Sequence, residues 1–150
     1  MDDIGTPAGE GWERVIEDMH ATGETYREDG YDVVELHPGD VTVVDDGSGF
    51  DLVVSGEEFA AVQSMVADAS LTETEVFRAV EGGRVYVLVV VRDGASEAAL
   101  CCPLYYAPDR ATSLREYARE SGRLFTYVRS LSADDAVAVA FDDPELFFPE

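Results

Sequence analysis

The segment from Val85 to Val91 is the longest apolar run in the chain and restricts its fold more than any other feature. All seven residues, VYVLVVV, are apolar, whereas a strand with one face in water alternates apolar and polar positions. Valine dominates the run, which favours a strand. The run therefore predicts a central strand that is covered on both faces. It is also far shorter than the about 20 residues needed to cross a bilayer, so we expect no membrane span.

Apolar residues at helical spacing predict three helices around this strand. The first should end before Gly30 and is weakened by Gly23. Ser55 and Glu58 have the spacing of a capping box and predict where the second helix begins. The helices are expected over about residues 10–29, 56–70 and 109–121.

Short valine-rich segments separated by turn residues predict the strands. Gly82-Gly83 predicts a hairpin with a two-residue turn. Pro103 cannot donate to a ladder, so its strand should lie at an edge or break there. The strand segments are YDVVEL, VTVV, FDLVV, TETEVFRAVE, RVYVLVVVR, EAALCCPLYY, RLFTYVR and AVAVAF.

This order of elements predicts one α+β domain. We expect a mixed but mostly antiparallel sheet of about six to eight strands with three helices. Residues 1–9 are expected to form a flexible N-terminus and residues 10–150 the single domain.

The charge of the chain indicates the salt concentration and the compartment in which the protein functions. It has 32 acidic residues against 10 basic ones, a formal net charge of −22, and neither lysine nor asparagine. Such a surface suits molar salt, where the Debye length is only ~3 Å. We therefore interpret the chain as an acidic, halophilic protein of haloarchaeal origin; the alternative is an acidic interaction protein from a GC-rich bacterium. The N-terminus, MDDIGTPAGEGW, does not resemble a signal peptide, so a cytoplasmic location is expected.

Three aspartates, Asp45, Asp46 and Asp51, flank a glycine loop in VTVVDDGSGFDLVV and are the candidate metal ligands. Carboxylate oxygens are what Mg²⁺ and Ca²⁺ require. The register of a calcium-binding loop is absent, and aspartate and glycine are also the residues of an ordinary turn. Both interpretations, a metal site and a hairpin loop, stay open.

The remaining histidine and cysteine residues are few. A histidine-based metal site would need His20 and His37 to converge, and their positions are typical of a helix surface and a turn. Cys101 and Cys102 are candidate redox or nucleophilic residues, with reduced core thiols as the alternative.

The arginines cluster towards the C-terminus. Residues 1–75 carry 20 acids and 2 arginines, whereas residues 76–150 carry 12 acids and 8 arginines. Arg115 and Arg119 share a helix face by their spacing of four. The cluster predicts either an anion or phosphate site or internal ion pairs with interleaved glutamates. Its candidate binding residues are Arg110, Arg115, Arg119 and Arg123.

Several motifs are absent from the sequence. It contains no G-x-G-x-x-G, no G-x-S-x-G and no H-E-x-x-H. Without lysine, Schiff-base chemistry and Walker-type phosphate binding are excluded. We therefore expect no cofactor and favour a function without catalysis.

Two resemblances extend this interpretation. The first resemblance is to the restriction-endonuclease-like fold, and the segments that carry it are GYDVVEL, GFDLVV with Asp51, and RVYVLVVVR followed by RLFTYVR. Because Val87–Val91 lacks the Glu-x-Lys of that family, the resemblance implies a catalytically degenerate relative. The whole chain also resembles small conserved haloarchaeal proteins of unknown function. That second resemblance is carried by YREDGYDVVELHPGDVTV, GGRVYVLVVV and CPLYYAPDRATSLREYARESGRLFTYVRSLS.

Three functional hypotheses follow. The first is a binding or regulatory module that acts through a protein partner or self-association. The second is a nucleic-acid-associated protein with a degenerate nuclease-like fold, which requires Asp51 and the arginines of the third helix to line one cleft; the acidic charge disfavours it. The third is a thiol-dependent enzyme that uses Cys101 or Cys102.

Overall fold

The computed structural model describes residues 9–131, 135–142 and 144–148. Most of the predicted flexible N-terminus therefore lies outside the described residues. Short 3₁₀ turns occur at Pro108–Arg110 and Pro144–Phe147. The helices are α1 (Glu10–Glu28), α2 (Gly56–Asp68) and α3 (Ala111–Ser121), and the strands are β1 (Asp32–Glu35), β2 (Asp40–Val43), β3 (Gly49–Val54), β4 (Glu73–Glu81), β5 (Arg84–Asp93), β6 (Ala98–Tyr106), β7 (Leu124–Ser130) and β8 (Val137–Phe141).

These eight strands form two four-stranded sheets. The first sheet has the order β1-β6-β5-β4 and the second has the order β2-β3-β7-β8. The pairs β1–β6 and β3–β7 are parallel, and the other strand pairs in both sheets are antiparallel. The α+β class and the mixed, mostly antiparallel pairing are thus confirmed. The strands are divided between two sheets rather than joined in one, because β1 and β2, although consecutive in the chain, pair with different neighbours.

The valine run lies where its composition predicts. Residues Val85–Val91 of β5 are buried, and β5 lies between β4 and β6. Helix α1 packs against one face of β5 and β6. Towards the second sheet, Phe50 of β3 contacts Tyr106 of β6, with ring centroids 6.0 Å apart. The central, doubly covered strand is therefore confirmed.

The local sequence signals also agree with the structure. Ser55 Oγ accepts a hydrogen bond from the Glu58 backbone N–H (3.2 Å), so the predicted helix start is confirmed. Gly82 and Gly83 have φ of +60° and +80°, as a two-residue hairpin turn requires. Gly122 ends α3 in the left-handed conformation.

One expectation, that the strand containing Pro103 lies at an edge or breaks there, is met only locally. As a whole, β6 is not broken and is not an edge strand, because it lies between β1 and β5. However, its ladder with β1 ends at Cys101, the partner of Glu35. The proline follows the end of that ladder and interrupts no bond to β1. Among the described helices, none is long and apolar enough to cross a membrane.

Candidate metal centre

His20 and His37, although 17 residues apart in the sequence, converge at one end of β1. His20 lies on α1, and His37 follows β1 in the connection to β2. Their Nε2 atoms are 3.1 Å apart, and their ring centroids are 5.4 Å apart. Both are surface residues, as the sequence indicates, but the fold brings them into direct contact.

Glu35, the last residue of β1, completes a group of three. Its Oε1 lies 3.6 Å from His20 Nε2, and its side chain is only 9% exposed. One ligand atom from each of His20, Glu35 and His37 lies within 4.8 Å of the others. The position of Glu35 follows from the parallel pairing of β1 with β6, in which Glu35 is opposite Cys101.

Gly23 provides the space that the Glu35 carboxylate occupies. A Cβ atom at position 23 would lie 2.3 Å from Glu35 Oε2. Glycine inside a helix costs about 0.5–1 kcal/mol relative to alanine. The residue that weakens α1 therefore leaves room for a carboxylate between the helix and the strand.

Two further charged residues hold the ligands in place. The Arg27 guanidinium donates to Glu35 Oε2 over 2.6 Å. Glu58 Oε1 accepts a hydrogen bond from the His37 backbone N–H, and its Oε2 lies 2.8 Å from His37 Nδ1. An Nδ1–H that donates to this carboxylate leaves the lone pair of His37 Nε2 directed at His20 and Glu35. The Glu58 carboxylate thus orients His37, while the backbone N–H of Glu58 is capped by Ser55.

Two of the separations between the ligand atoms fit a small divalent ion. With Zn–N and Zn–O bonds of about 2.0–2.1 Å, the ligand atoms of a tetrahedral site lie roughly 3.3 Å apart. The two measured separations here are 3.1 Å and 3.6 Å. Two imidazoles and one carboxylate would leave the fourth position for water or another ligand. Without a metal, His20 Nε2–H can donate a hydrogen bond to His37 Nε2.

The candidate aspartates have other partners. Asp51 on β3 forms an ion pair with Arg129 on β7, with Oδ1 and Nε 2.7 Å apart. Asp46 Oδ1 accepts a hydrogen bond from the Ser48 backbone N–H (2.8 Å), and the hydrogen bonds with Ser48 lower the pKa of Asp46. Among the described residues, Asp45, Asp46 and Asp51 form no group of three converging ligands. Metal binding at this loop stays a prediction.

Both candidate cysteines are buried in β6. Cys101 and Cys102 are free thiols with no exposed surface. Burial, together with the nearby Glu35, raises the pKa of Cys101 to about 12, and burial also raises the pKa of Cys102. Thiolate chemistry at neutral pH would therefore need a large local opening.

The structure brings together two of the four candidate arginines. Arg115 and Arg119 on α3 line one cleft. Arg123 lies 3.7 Å from Asp142, and Arg110 belongs to a 3₁₀ turn outside the lining of the cleft. The residues that line this cleft do not include Asp51, contrary to what the nucleic-acid hypothesis requires.

Sequence reasoning did not select Glu35, Glu58 and Arg27. One signal was available: Gly23 and Arg27 follow His20 by three and seven residues, and these spacings place all three on one helix face. Another was the spacing of two between Glu35 and His37, which directs both side chains to the same side of an extended chain.

The comparisons with known proteins identify a family but no activity. The model of a family of unknown function, DUF7529, matches residues 5–149. No curated protein and no solved structure matches the chain.

Proposed function

We propose that the chain, which belongs to the family of unknown function DUF7529, binds a divalent transition-metal ion through His20, Glu35 and His37. The observation that carries the proposal is the 3.1 Å contact between the two Nε2 atoms beside a nearly buried carboxylate. The role we propose is that of a cytoplasmic, non-enzymatic binding or regulatory module. In this role the protein would respond to whether its metal site is occupied.

The ligand types favour transition metals over Mg²⁺ and Ca²⁺. Imidazole suits Zn²⁺, Cu²⁺, Ni²⁺ and Fe²⁺, whereas Mg²⁺ and Ca²⁺ prefer sites made only of oxygen ligands. The partner of His37, Glu58, supports the same choice, because histidine ligands of metals commonly donate their second ring N–H to a carboxylate. The pair of imidazoles therefore selects a transition-metal ion over Mg²⁺ and Ca²⁺.

The site would act as a link between three elements. His20 belongs to α1, Glu35 and His37 lie at the end of β1 and just beyond it, and Glu58 belongs to α2. A bound ion would fix α1 against the β1–β2 connection, and Glu58 would transmit that restraint to α2. This coupling is the basis of the proposed regulatory role.

The test is a thermal melt with Zn²⁺, Co²⁺ or Mg²⁺ on the wild type and on His20→Ala and His37→Ala. A ligand at 100 times its dissociation constant adds about 2.7 kcal/mol, which is roughly 5–11 °C for a domain of this size. We expect such a shift with Zn²⁺ and Co²⁺ and its loss in both variants. Asp51→Ala is the matched control, because it removes a candidate ligand of the other loop and should keep the shift.

Two results would contradict the proposal. One is the absence of a shift with every transition metal. The other is a shift with Mg²⁺ that disappears only in Asp51→Ala, which would assign metal binding to the aspartate loop instead.

We propose self-association as a second candidate function, supported by the outer edge of β4. This strand has nine residues, whereas the other edge strands, β1, β2 and β8, have four or five. Phe77 and Val80 on β4 are 45% and 62% exposed. The glutamates at the two ends, Glu73 and Glu81, are paired with Arg92 and Arg14, which neutralises part of the negative charge of this edge. A second copy could add its own β4 to the sheet.

A further inference from the structure

A cleft unrelated to the metal ligands lies between β4, α3 and the 3₁₀ turn at Pro144–Phe147. Its volume is about 1000 Å³, comparable to the larger pockets that hold small molecules. Three arginines line it, Arg78 from β4 and Arg115 and Arg119 from α3. The other lining residues are Ala118, Gly122, Asp142, Pro144, Glu145, Leu146 and Phe148.

The described residues that line the cleft carry more positive than negative charge, unlike the molecule as a whole. The chain has a net charge of −22 and only 10 arginines, yet three of them line this one cleft beside two acids. One of those acids, Asp142, lies 3.7 Å from Arg123. Among the described residues that line the cleft, arginines therefore outnumber acids, and a local excess of positive charge attracts anions.

Two of the three guanidinium groups are held by contacts with the C-terminal segment. Arg78 Nη1 donates to the Leu146 carbonyl oxygen over 2.9 Å. The Arg115 guanidinium lies over the Phe148 ring, 5.0 Å from its centroid. These contacts fix Arg78 and Arg115 against an apolar wall, which prepares them for a ligand at little entropic cost.

Arg119 differs from the other two in its partners. It follows Arg115 by four residues and shares its helix face. Within the part of the chain that the structure describes, no ion pair or hydrogen bond involves the Arg119 side chain. A guanidinium is a planar group of donors that matches a carboxylate or phosphate.

We propose that this cleft binds a small organic anion that carries an apolar body. Arg119, with Arg78 and Arg115 beside it, receives the phosphate or carboxylate group. Leu146, which is 42% exposed, and Phe148 contact the apolar part of the ligand. The inference is independent of the metal site, because it uses none of its residues.

Isothermal titration with naphthyl phosphate, inorganic phosphate and naphthol tests the proposal in molar KCl. The first probe has both the anion and the apolar body, and each of the others lacks one of them. We expect naphthyl phosphate to bind at least about tenfold more tightly than either, because it alone combines the charged hydrogen bonds with the apolar contact. The dissociation constant should not change in His20→Ala, which separates this site from the metal centre.

The variant Arg119→Ala should bind naphthyl phosphate about tenfold more weakly than the wild type. Arg110→Ala removes the same charge outside the lining of the cleft and is the matched control; it should leave the affinity unchanged. Equal losses in both variants, or equal binding of inorganic phosphate and naphthyl phosphate, would overturn the proposal. So would equal binding of naphthol, or no binding of naphthyl phosphate.

Discussion

Gly23 couples the stability of α1 to the geometry of the metal ligands. In Gly23→Ala the new Cβ would lie 2.3 Å from Glu35 Oε2, the far end of a flexible side chain, so the carboxylate can move away without disrupting the fold. Alanine is also favoured in a helix by about 0.5–1 kcal/mol. Because the displaced carboxylate also disturbs its ion pair with Arg27, we expect little change in stability without metal, but a loss of the thermal shift with Zn²⁺.

The control for Gly23→Ala is Thr22→Ala, the preceding residue of α1. It gains helix propensity without entering the space of Glu35 and should keep the Zn²⁺ shift. If Gly23→Ala binds Zn²⁺ as tightly as the wild type, Glu35 is not a ligand.

Glu58 should affect metal affinity without being a ligand. Glu58→Gln keeps the backbone N–H that Ser55 caps but replaces the carboxylate that faces His37 Nδ1. Loss of such a partner typically lowers metal affinity by about 10–100-fold. We expect a change of that size in the Zn²⁺ dissociation constant, measured by competition with a chelator. Glu57→Gln, one residue away and exposed, should have no effect; equal affinities in both variants would contradict the role of Glu58.

The two buried thiols predict a loss of stability in alkaline solution. The folded state raises the pKa of Cys101 from 9.0 to about 12 and also raises that of Cys102. The contribution of the two thiols to the free energy of unfolding is complete below about pH 9, the ordinary thiol pKa. It is lost as pH rises towards 12, because in this range the thiols release their protons in the unfolded chain but keep them in the folded one. At about pH 10 the expected loss in the free energy of unfolding is on the order of 1 kcal/mol for each thiol.

Urea unfolding at about pH 8 and about pH 10 measures this loss. The double variant Cys101→Ala, Cys102→Ala should lose less stability between the two pH values, whatever its stability at the lower one. An identical decrease in wild type and variant would show that the thiols do not cause it.

At the scale of elements, the outer edge of β4 carries the prediction for self-association. A lysine in place of Val80, which is 62% exposed, would place a charge on this edge, and such charges prevent strands from pairing. We expect light scattering to give a dimer mass for the wild type and a monomer mass for Val80→Lys. Leu131→Lys introduces the same charge at another exposed apolar residue outside β4 and should stay dimeric. A monomeric wild type would exclude this interface.

Local signals predicted the elements but not their partners. The apolar run at Val85–Val91, the cap at Ser55 and the glycines at 82 and 83 act over a few residues, so each could be recognised from the sequence. The pairing of β1 with β6 depends on residues more than 60 positions apart. That pairing divides the strands between two sheets and sets Glu35 beside the histidines. For this reason the helices and strands could be predicted, whereas for the site only the condition that His20 and His37 converge could be stated in advance.

For the whole molecule, the net charge of −22 predicts that stability depends on salt. Like charges repel across the acidic surface at low ionic strength, and screening within ~3 Å at molar salt removes most of that repulsion. We expect the free energy of unfolding to rise by roughly 2 kcal/mol or more between dilute buffer and molar KCl, equivalent to about 4–8 °C in melting temperature. Urea titrations at both salt concentrations measure this change in the free energy of unfolding. A free energy of unfolding that is independent of KCl would contradict a halophilic adaptation.

The parallel pairing of β1 with β6 also determines when the chain could acquire a metal during synthesis. All three ligands are encoded within the first 37 residues, but Glu35 is placed by its ladder with Ala98–Cys101. Contacts between segments so distant in sequence form late, because the intervening chain must first be ordered. A nascent chain would thus present His20 and His37 long before the site exists, and metal uptake would mark the completion of the first sheet.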